Sequence, residues 1–191
     1  MTDSRQRDTR EWGQSGAMHT VMDSPVGPLT LVGSEGALSG LYMTDQRYRP
    51  ADIRFGDRDD AQFAAAVAQL TEYFAGDRTE FTIPLRPAGT EFQRTVWQAL
   101  REIPYGETIT YGELAQHIGR PTAARAVGHA NGHNPIGIVV PCHRVVSPTG
   151  LTGYAGGLDR KRFLLALESA NSPAQAPRGV DVPRGNRLEV G

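Results

Sequence analysis

The chain has 191 residues, of which 39% are hydrophobic and 21% are charged, and its formal net charge is −1. This composition is ordinary for a soluble globular protein with one or two small domains. No apolar run approaches the ~18 residues that a membrane span needs, and the polar N-terminus predicts no secretory signal. We therefore expect a cytoplasmic protein that does not contact a membrane.

Charge is unevenly distributed along the chain. Residues 18–89 carry six arginines against ten acidic residues. Residues 90–168 carry eight basic residues against six acidic ones, and four of the five histidines. The second half is therefore the better candidate for contact with a nucleic-acid backbone, although an excess of two positive charges is modest support.

Composition predicts two domains between two polar tails. The first residues are unpatterned, and the last are rich in Pro, Gly and Arg, so both ends are predicted to be disordered. A Pro/Gly segment, PLRPAGT, separates the two patterned regions. The predicted boundaries are a tail over 1–17, an N-terminal domain over 18–84, a linker over 85–89, a C-terminal domain over 90–170 and a tail over 171–191.

The N-terminal domain is predicted to be a small α+β unit with an antiparallel sheet and one helix. Strand-like runs over 28–32 and 37–43 flank Gly-Ser-Glu-Gly, which is typical of a hairpin. Another strand is predicted over 79–83. Asp60 precedes a set of apolar residues with helical spacing, so a helix is expected there. The members of that set are Phe63, Val67, Leu70 and Phe74.

The C-terminal domain is predicted to be mainly helical. Thr90 and Gln93 have capping-box spacing before a helix whose apolar face ends at Ile103, and Thr110 and Glu113 repeat that spacing before a second helix. Gly119 is expected to end the second helix, and Pro121 suits the first turn of a third. Two short helices joined by a tight turn indicate a helix-turn-helix, a pattern that many helical hairpins share.

The third helix carries few side chains that could read base edges in a major groove, because most of its residues are alanine or glycine. Such residues either pack against another helix or allow a slim helix to approach a narrow groove without reading sequence. Arg125 is the exception, a long cation among small residues.

The single cysteine, Cys142, excludes an intramolecular disulfide and a zinc site built from several thiolates, and we expect no metal and no cofactor. A lone cysteine is more often an unreactive buried residue. The adjacent His143 could take the thiol proton, directly or through one water. Such a base needs an orienting partner, for which Glu168 is the natural candidate at the end of a helix predicted over 158–168.

These residues lie within a set of ordered motifs. PCHRVV at 141–146 follows Asn134-Pro135 and TAARAVG at 122–128, with YGELA at 111–115 before them and GYAGG at 153–157 after them. This set resembles the O6-alkylguanine-DNA alkyltransferase family, the methylated-DNA–protein-cysteine methyltransferases. The similarity extends from about residue 90 to residue 168, and the Pro-Cys-His-Arg core in this order with the other blocks is very specific.

The resemblance implies catalytic roles for five residues. Cys142 would accept the alkyl group, and His143 would act as the base through a water while Glu168 orients it. Asn134 would hold the turn that supports the cysteine. Tyr111 would help to rotate the target nucleotide and would donate toward N3 of the leaving guanine.

The resemblance also implies residues that bind DNA and line the guanine pocket. Arg125 would enter the base stack in place of the flipped nucleotide. The other expected DNA contacts are Thr110, Tyr111, Ala124, Ala126 and Gly128. The expected pocket residues are the Val145 carbonyl, the backbone near Tyr154, Ala155 and Gly156, and the side chains of Lys161 and Asn131.

The implied function is stoichiometric, irreversible transfer of an alkyl group, mainly methyl, from O6-alkylguanine in duplex DNA, with O4-alkylthymine as a further substrate. No obligate protein partner is expected, and clustering on DNA is left open. Ala155 replaces a hydroxyl residue of some members, and Gly137 and Asn131 could reshape the pocket, so the preferred alkyl group is open as well.

Three alternatives fit the residues less well. A module that binds alkylated guanine without repairing it would lack the reactive cysteine, whereas Cys142 stands in an intact motif. A cysteine hydrolase would need an oxyanion hole, and none is evident. A transcription regulator would need base-reading side chains, in which residues 122–132 are poor.

Overall fold

The computed structural model of the chain describes residues 16–172, so nearly all of both predicted tails lies outside the described residues. The N-terminal half contains a four-stranded sheet with the order β3-β2-β1-β4. β1 pairs antiparallel with β2, β2 pairs antiparallel with β3, and the short β4 lies parallel to β1. The strands are β1 (Met18–Met22), β2 (Leu29–Ser34), β3 (Ala37–Met43) and β4 (Asp57–Arg58).

The predicted hairpin is confirmed as β2 and β3. Ser34 pairs with Ala37 across a two-residue turn in which Glu35 and Gly36 have φ of 51° and 76°. Positive φ at both central positions is the type I′ turn that matches the twist of a hairpin, and glycine adopts it without strain. The buried face of these strands then contributes Leu29, Leu31, Leu38, Leu41 and Met43 to the core.

The helix expected from apolar spacing is α1 (Ala64–Ala75), which ends at Gly76 with φ of 84°. The strand predicted over 79–83 is wrong. In that segment the Thr82 amide donates to the Gln69 side chain at 2.9 Å, and Phe81 packs on Tyr73 with ring centroids 5.3 Å apart. The segment therefore packs against α1 instead of forming a ladder with a strand.

The C-terminal half contains four helices, and both capping boxes predicted for it, at Thr90 and Thr110, are present. Two two-residue strands pair in parallel, and the second follows a 3₁₀ turn over Cys142–Arg144. The elements are α2 (Glu91–Leu100), β5 (Ile109–Thr110), α3 (Tyr111–His117), α4 (Ala124–Gly132), β6 (Val145–Val146) and α5 (Leu158–Asn171).

The predicted helix-turn-helix consists of α3 and α4. Gly119, with φ of 70°, ends the first helix as expected. The second helix begins at Ala124 and not at Pro121, because residues 120–123 form a turn in which the Ala123 amide donates to the Arg120 carbonyl at 2.9 Å. α5 also continues to Asn171, beyond the predicted end at 168.

One hydrophobic core cluster joins both halves of the described chain. The Leu41 amide of β3 donates to the Pro135 carbonyl at 2.8 Å, and Trp97 Nε1 on α2 donates to the Ala130 carbonyl at 2.9 Å. The first bond fixes the segment before Cys142 against the sheet, and the second fixes α2 against α4. None of the helices in the described part of the chain has the length and apolar character needed to cross a membrane.

Candidate active site

Cys142 lies at the start of the 3₁₀ turn and is buried, with 5% of its surface exposed. Two asparagines hold the surrounding backbone. The Asn134 amide donates to the Val140 carbonyl at 2.8 Å, and its oxygen accepts from the Ile136 amide at 3.0 Å. Asn131 Nδ2 donates to the Cys142 carbonyl at 3.3 Å. Asn134 therefore bridges the turn before the cysteine, which is the position that the family resemblance implies for it.

His143 and Glu168 are brought together, as the sequence predicts. His143 Nε2 lies 2.8 Å from Glu168 Oε1, and neither residue has exposed surface. Glu168 Oε1 also accepts from Tyr73 Oη at 2.7 Å and from Arg144 Nη2 at 2.9 Å. Glu168 Oε2 accepts from Arg144 Nε at 2.8 Å and from the Gly106 amide at 3.2 Å.

This network fixes the ionisation of its members. Burial opposes the charge of Glu168, but the hydrogen bonds from His143 and Arg144 lower its pKa to about 2. Burial lowers the pKa of His143, although Glu168 opposes that shift, so the imidazole is neutral at neutral pH. An ionised carboxylate can only accept, so the proton of the neutral ring must be on Nε2. His143 Nδ1 is then an unprotonated acceptor, buried and without a hydrogen-bond partner among the described residues.

The thiol is protonated at rest. Burial raises the pKa of Cys142, and the Asn134 side chain and the Lys161 charge only partly offset this. Tyr111 and Tyr154 both lie near Cys142. Burial raises the pKa of each phenol, and the nearby thiol raises it further. A thiol in this environment needs a base before it can act as a nucleophile.

An open cavity of about 380 Å³ is lined by Tyr111 and Tyr154, the two phenols near Cys142, although Cys142 itself does not line it. Of the expected pocket residues, Tyr154, Ala155 and Asn131 line it, and so do Tyr111 and Gly128. We name this space the substrate cavity. Two further lining residues, Arg47 and Tyr48, belong to the loop after β3 and were not predicted from sequence.

Three expected pocket residues, Val145, Gly156 and Lys161, do not line this cavity. Lys161 is fully buried, and its Nζ donates to the Val145 carbonyl at 2.7 Å and to the Thr152 carbonyl at 3.2 Å. Gly156 is buried, and a Cβ there would lie 2.5 Å from Met43 Sδ. Lys161 thus ties the segment after β6 to α5, behind the cavity wall.

The residues expected to contact DNA lie on α3 and α4, except Thr110, which ends β5 and caps α3. Arg125 and Ala126 are exposed, whereas Thr110, Ala124 and Gly128 are half-buried. Arg125 makes no hydrogen bond or ion pair with any residue that the structure describes, so its guanidinium can reach a ligand. The Tyr111 ring lies 3.6 Å from where a Gly128 Cβ would be, so an alanine at 128 would touch that ring at ordinary van der Waals distance.

Two members of the buried network, Tyr73 and Arg144, were not predicted as site residues. Arg144 belongs to the PCHR motif, so the sequence could have indicated it as a site residue. Tyr73 is 95 positions from Glu168 and lies in no motif, so nothing in the sequence indicated it. Among residues 16–172, no group of three His, Cys, Asp or Glu side chains is placed to hold a metal ion.

Comparison with protein families gives matches over nearly all of the described chain. Residues 91–170 match the DNA binding domain of 6-O-methylguanine DNA methyltransferase, and residues 17–87 match its ribonuclease-like domain. The chain belongs to the 6-O-methylguanine DNA methyltransferase family. The resemblance inferred from the motifs around Cys142 is therefore confirmed, and it extends to the N-terminal half.

Relatives within this family are similar over most of their length. A methylated-DNA–protein-cysteine methyltransferase of Mycolicibacterium paratuberculosis is 59% identical over 157 residues, which are 82% of this chain and 94% of the relative. The crystal structure of Mycobacterium tuberculosis O6-methylguanine methyltransferase is 54% identical, with a TM-score of 0.77 over 83% of this chain and 96% of that one. The M. tuberculosis OGT in complex with DNA has a TM-score of 0.76 at 54% identity, over 82% and 96% of the two chains.

Proposed function

We propose that the chain repairs alkylated DNA by direct reversal, moving the alkyl group from O6 of guanine in a duplex to Sγ of Cys142. The observation that carries this proposal is the buried series Cys142, His143 and Glu168, with the 2.8 Å bond between the last two. The methylated-DNA–protein-cysteine methyltransferases to which the chain is similar support it. The chain is accordingly a single-turnover methyltransferase, because the acceptor of the alkyl group is its own cysteine.

Thiol activation follows from the tautomer of His143. With Nε2 held by Glu168, Nδ1 accepts the proton of Cys142 through one water. The thiolate then attacks the alkyl carbon, so that the S–C bond forms while the C–O6 bond breaks. The electron pair of the C–O6 bond stays with guanine, which takes up a proton in exchange for the one that left the thiol.

The target nucleotide reaches the cavity only after it leaves the base stack. Turning it out costs a few kcal/mol, because stacking and pairing are lost. Arg125, exposed on α4, would fill the gap with its planar guanidinium and recover part of that stacking. Tyr111, which lines the substrate cavity, would help to rotate the nucleotide and donate toward guanine N3 as the base gains electrons.

The pocket would hold guanine mainly through backbone groups. Tyr154 and Ala155 line the cavity, and the Ala155 backbone supplies polar groups even though its side chain has no hydroxyl. The Val145 carbonyl accepts from Lys161, and because Val145 does not line the cavity, its expected contact with the base stays a prediction. Lys161 would act by fixing this carbonyl and by its charge near the thiol.

The thioether formed at Cys142 is stable, and no second cysteine exists in the chain to displace it. Each molecule therefore acts once. The predicted activity on O4-alkylthymine, the cytoplasmic location, the absence of an obligate protein partner and the domain boundaries stay predictions.

The test is incubation of the protein with a duplex containing one O6-methylguanine, followed by intact-protein mass spectrometry and peptide mapping. We expect the mass to rise by the amount that replaces the thiol proton with a methyl group, at Cys142 and in a one-to-one ratio with lesions removed. Cys142→Ala should leave both protein and lesion unchanged. If that variant still consumed the lesion, the proposal would fail.

A further inference from the structure

One wall of the substrate cavity rests on the N-terminal half. This wall is residues 153–157, which we name the wall segment because part of it lines the cavity. The Ala155 carbonyl accepts from the Arg47 amide, in the loop after β3, at 2.9 Å. Gly156 lies so close to Met43, the last residue of β3, that a Cβ there would be 2.5 Å from the Met43 sulfur. The position of the wall segment therefore depends on the sheet.

Arg160, in the first turn of α5, joins the wall segment to the sheet. Its Nη1 donates to the Gly156 carbonyl at 3.0 Å and to the carbonyl of Thr44, directly after β3, at 2.8 Å. Its Nε donates at 2.9 Å to the carbonyl of Val26, which lies between β1 and β2. One guanidinium thus connects the wall of the cavity to two segments that are more than 100 positions away in sequence.

These contacts are those of a bridge between backbone segments. Arg160 is half-buried and forms no ion pair with a carboxylate of residues 16–172, so its described partners are the three carbonyls. Hydrogen bonds from a charged donor are stronger than neutral ones, and the planar guanidinium holds its donors in fixed directions. The Ala155 amide, in contrast, donates to no group in the described part of the chain, so it is available to a ligand in the cavity.

We propose that Arg160 is a positioning residue for alkyl transfer, which holds the wall segment so that the Ala155 amide can donate to O6 of the guanine. This rests on the proposed repair function. The electron pair of the C–O6 bond stays with guanine, so a donor at O6 acts where negative charge develops. Such a donor must be placed accurately, because a misplacement of about 1 Å can slow a reaction by about 10²-fold.

The test compares three alkylations of Cys142 under single-turnover conditions. Two of them place guanine in the cavity, with a duplex containing O6-methylguanine and with the free base O6-benzylguanine. The third, with iodoacetamide, needs no guanine. Arg160→Met keeps much of the aliphatic stem and removes every donor, so we expect both guanine reactions to slow about tenfold, as a misplaced donor predicts. The iodoacetamide rate should stay unchanged, because the thiol and its base are not altered.

Two further variants separate the bridge from the charge. Arg160→Lys keeps the charge, but a single nitrogen cannot replace two separated donor atoms, so we expect the same pattern with a smaller loss. Arg162→Met is the matched control, because it removes a neighbouring exposed arginine that pairs with Asp159 at 2.8 Å. All three of its rates should equal those of the unchanged protein. Thermal unfolding shows which variants are folded, and Arg160→Lys alone carries the test if Arg160→Met is not.

The outcomes separate the positioning role from the proposed function. Full activity of Arg160→Lys on both guanine substrates overturns the bridge. A loss on the duplex alone also overturns it, since Arg160 would then act on the DNA backbone. Equal losses in all three reactions, iodoacetamide included, would overturn it as well, because the change would then act on Cys142 itself. A failure of the unchanged protein to acquire methyl on Cys142 would overturn the repair function instead.

Discussion

Tyr73 Oη donates a 2.7 Å hydrogen bond to Glu168 Oε1, which joins α1 in the N-terminal half to α5 in the C-terminal half across 95 positions of sequence. Both residues are fully buried. The bond reaches the same carboxylate oxygen that holds His143, so the N-terminal half contributes directly to the geometry of the base. This gives the N-terminal half a part in the active site that its sequence does not indicate.

Removing that bond should slow the reaction without disrupting the core. Tyr73→Phe keeps the buried ring but removes a donor to a charged acceptor, so we expect the free energy of unfolding to fall by about 1.5–3 kcal/mol. We expect the methyl-transfer rate to fall severalfold, because Glu168 is less firmly placed. Tyr105→Phe is the control, since the Tyr105 hydroxyl is buried without a partner among the described residues and its loss should cost little. Equal losses in the two variants would contradict this role of Tyr73.

Glu168→Gln should affect both stability and rate. The buried Arg144 loses its counter-charge, which costs about 3–5 kcal/mol of unfolding free energy. The amide no longer requires a proton on His143 Nε2, so we expect the methyl-transfer rate to fall about 10²-fold. Chemical denaturation and single-turnover assays measure the two effects.

The chain offers a matched control for this substitution. His117 Nε2 and Glu102 Oε2 form a second histidine–glutamate pair, at 2.6 Å, but on the exposed surface. Glu102→Gln should change the unfolding free energy by less than about 1 kcal/mol and leave the rate unchanged, because an exposed pair contributes little. A Glu168→Gln variant as active and as stable as Glu102→Gln would refute the role of the buried network.

Acid should destabilise the fold in two steps. Burial lowers the pKa of His143 from 6.5, so the unfolded chain binds that proton more readily and stability falls as the pH drops below about 6.5. Glu168 has its pKa lowered from 4.5 to about 2, so it stabilises the fold above pH 4.5 and loses a contribution of about 3 kcal/mol between those values. Denaturant unfolding from pH 8 to pH 2 measures both steps. His143→Gln should remove the first step and reduce the second, because His143 is one of the groups that lower the pKa of Glu168. A free energy that is constant down to pH 4.5 in the unchanged protein would contradict the first step.

Local features of this fold could be predicted because their determinants are close in sequence. A capping box needs only Thr110 and Glu113, three positions apart, and the hairpin turn needs only Glu35 and Gly36 between two apolar runs. The two-residue strand β4, in contrast, is defined by its pairing with β1 nearly 40 positions earlier. No local pattern marks such a segment as a strand.

The residues of the site also fall into two groups, those that local sequence predicts and those that only the tertiary fold brings to the site. Cys142 and His143 are neighbours in a motif, and Glu168 could be inferred because a base needs an orienting partner. Tyr48 and Tyr73 reach the site only through packing of the N-terminal half against the C-terminal half. Their place depends on the tertiary fold, and a single sequence contains no signal for it.

Arg125→Ala should weaken repair of a duplex far more than reaction with the free base O6-benzylguanine. The free base needs no nucleotide flipping, so only the duplex reaction depends on a side chain that fills the stack. Arg101→Ala is the control, since it removes the same charge from an exposed position outside α3 and α4. Rates on both substrates give the comparison. Equal losses on duplex and free base would remove the flipping role of Arg125.

Lys161→Met should raise the pKa of the Cys142 thiol further. The buried ammonium lies close enough to lower that pKa, and methionine fills similar space without the charge. We expect the pH profile for reaction of Cys142 with iodoacetamide to move toward higher pH, and the rate near neutral pH to fall about tenfold if the thiol pKa rises by about one. Arg162→Met is the control, because the neighbouring Arg162 is exposed and pairs with Asp159 at 2.8 Å. A lower thermal stability together with an unchanged pH profile would show that Lys161 serves only to hold the Val145 and Thr152 carbonyls.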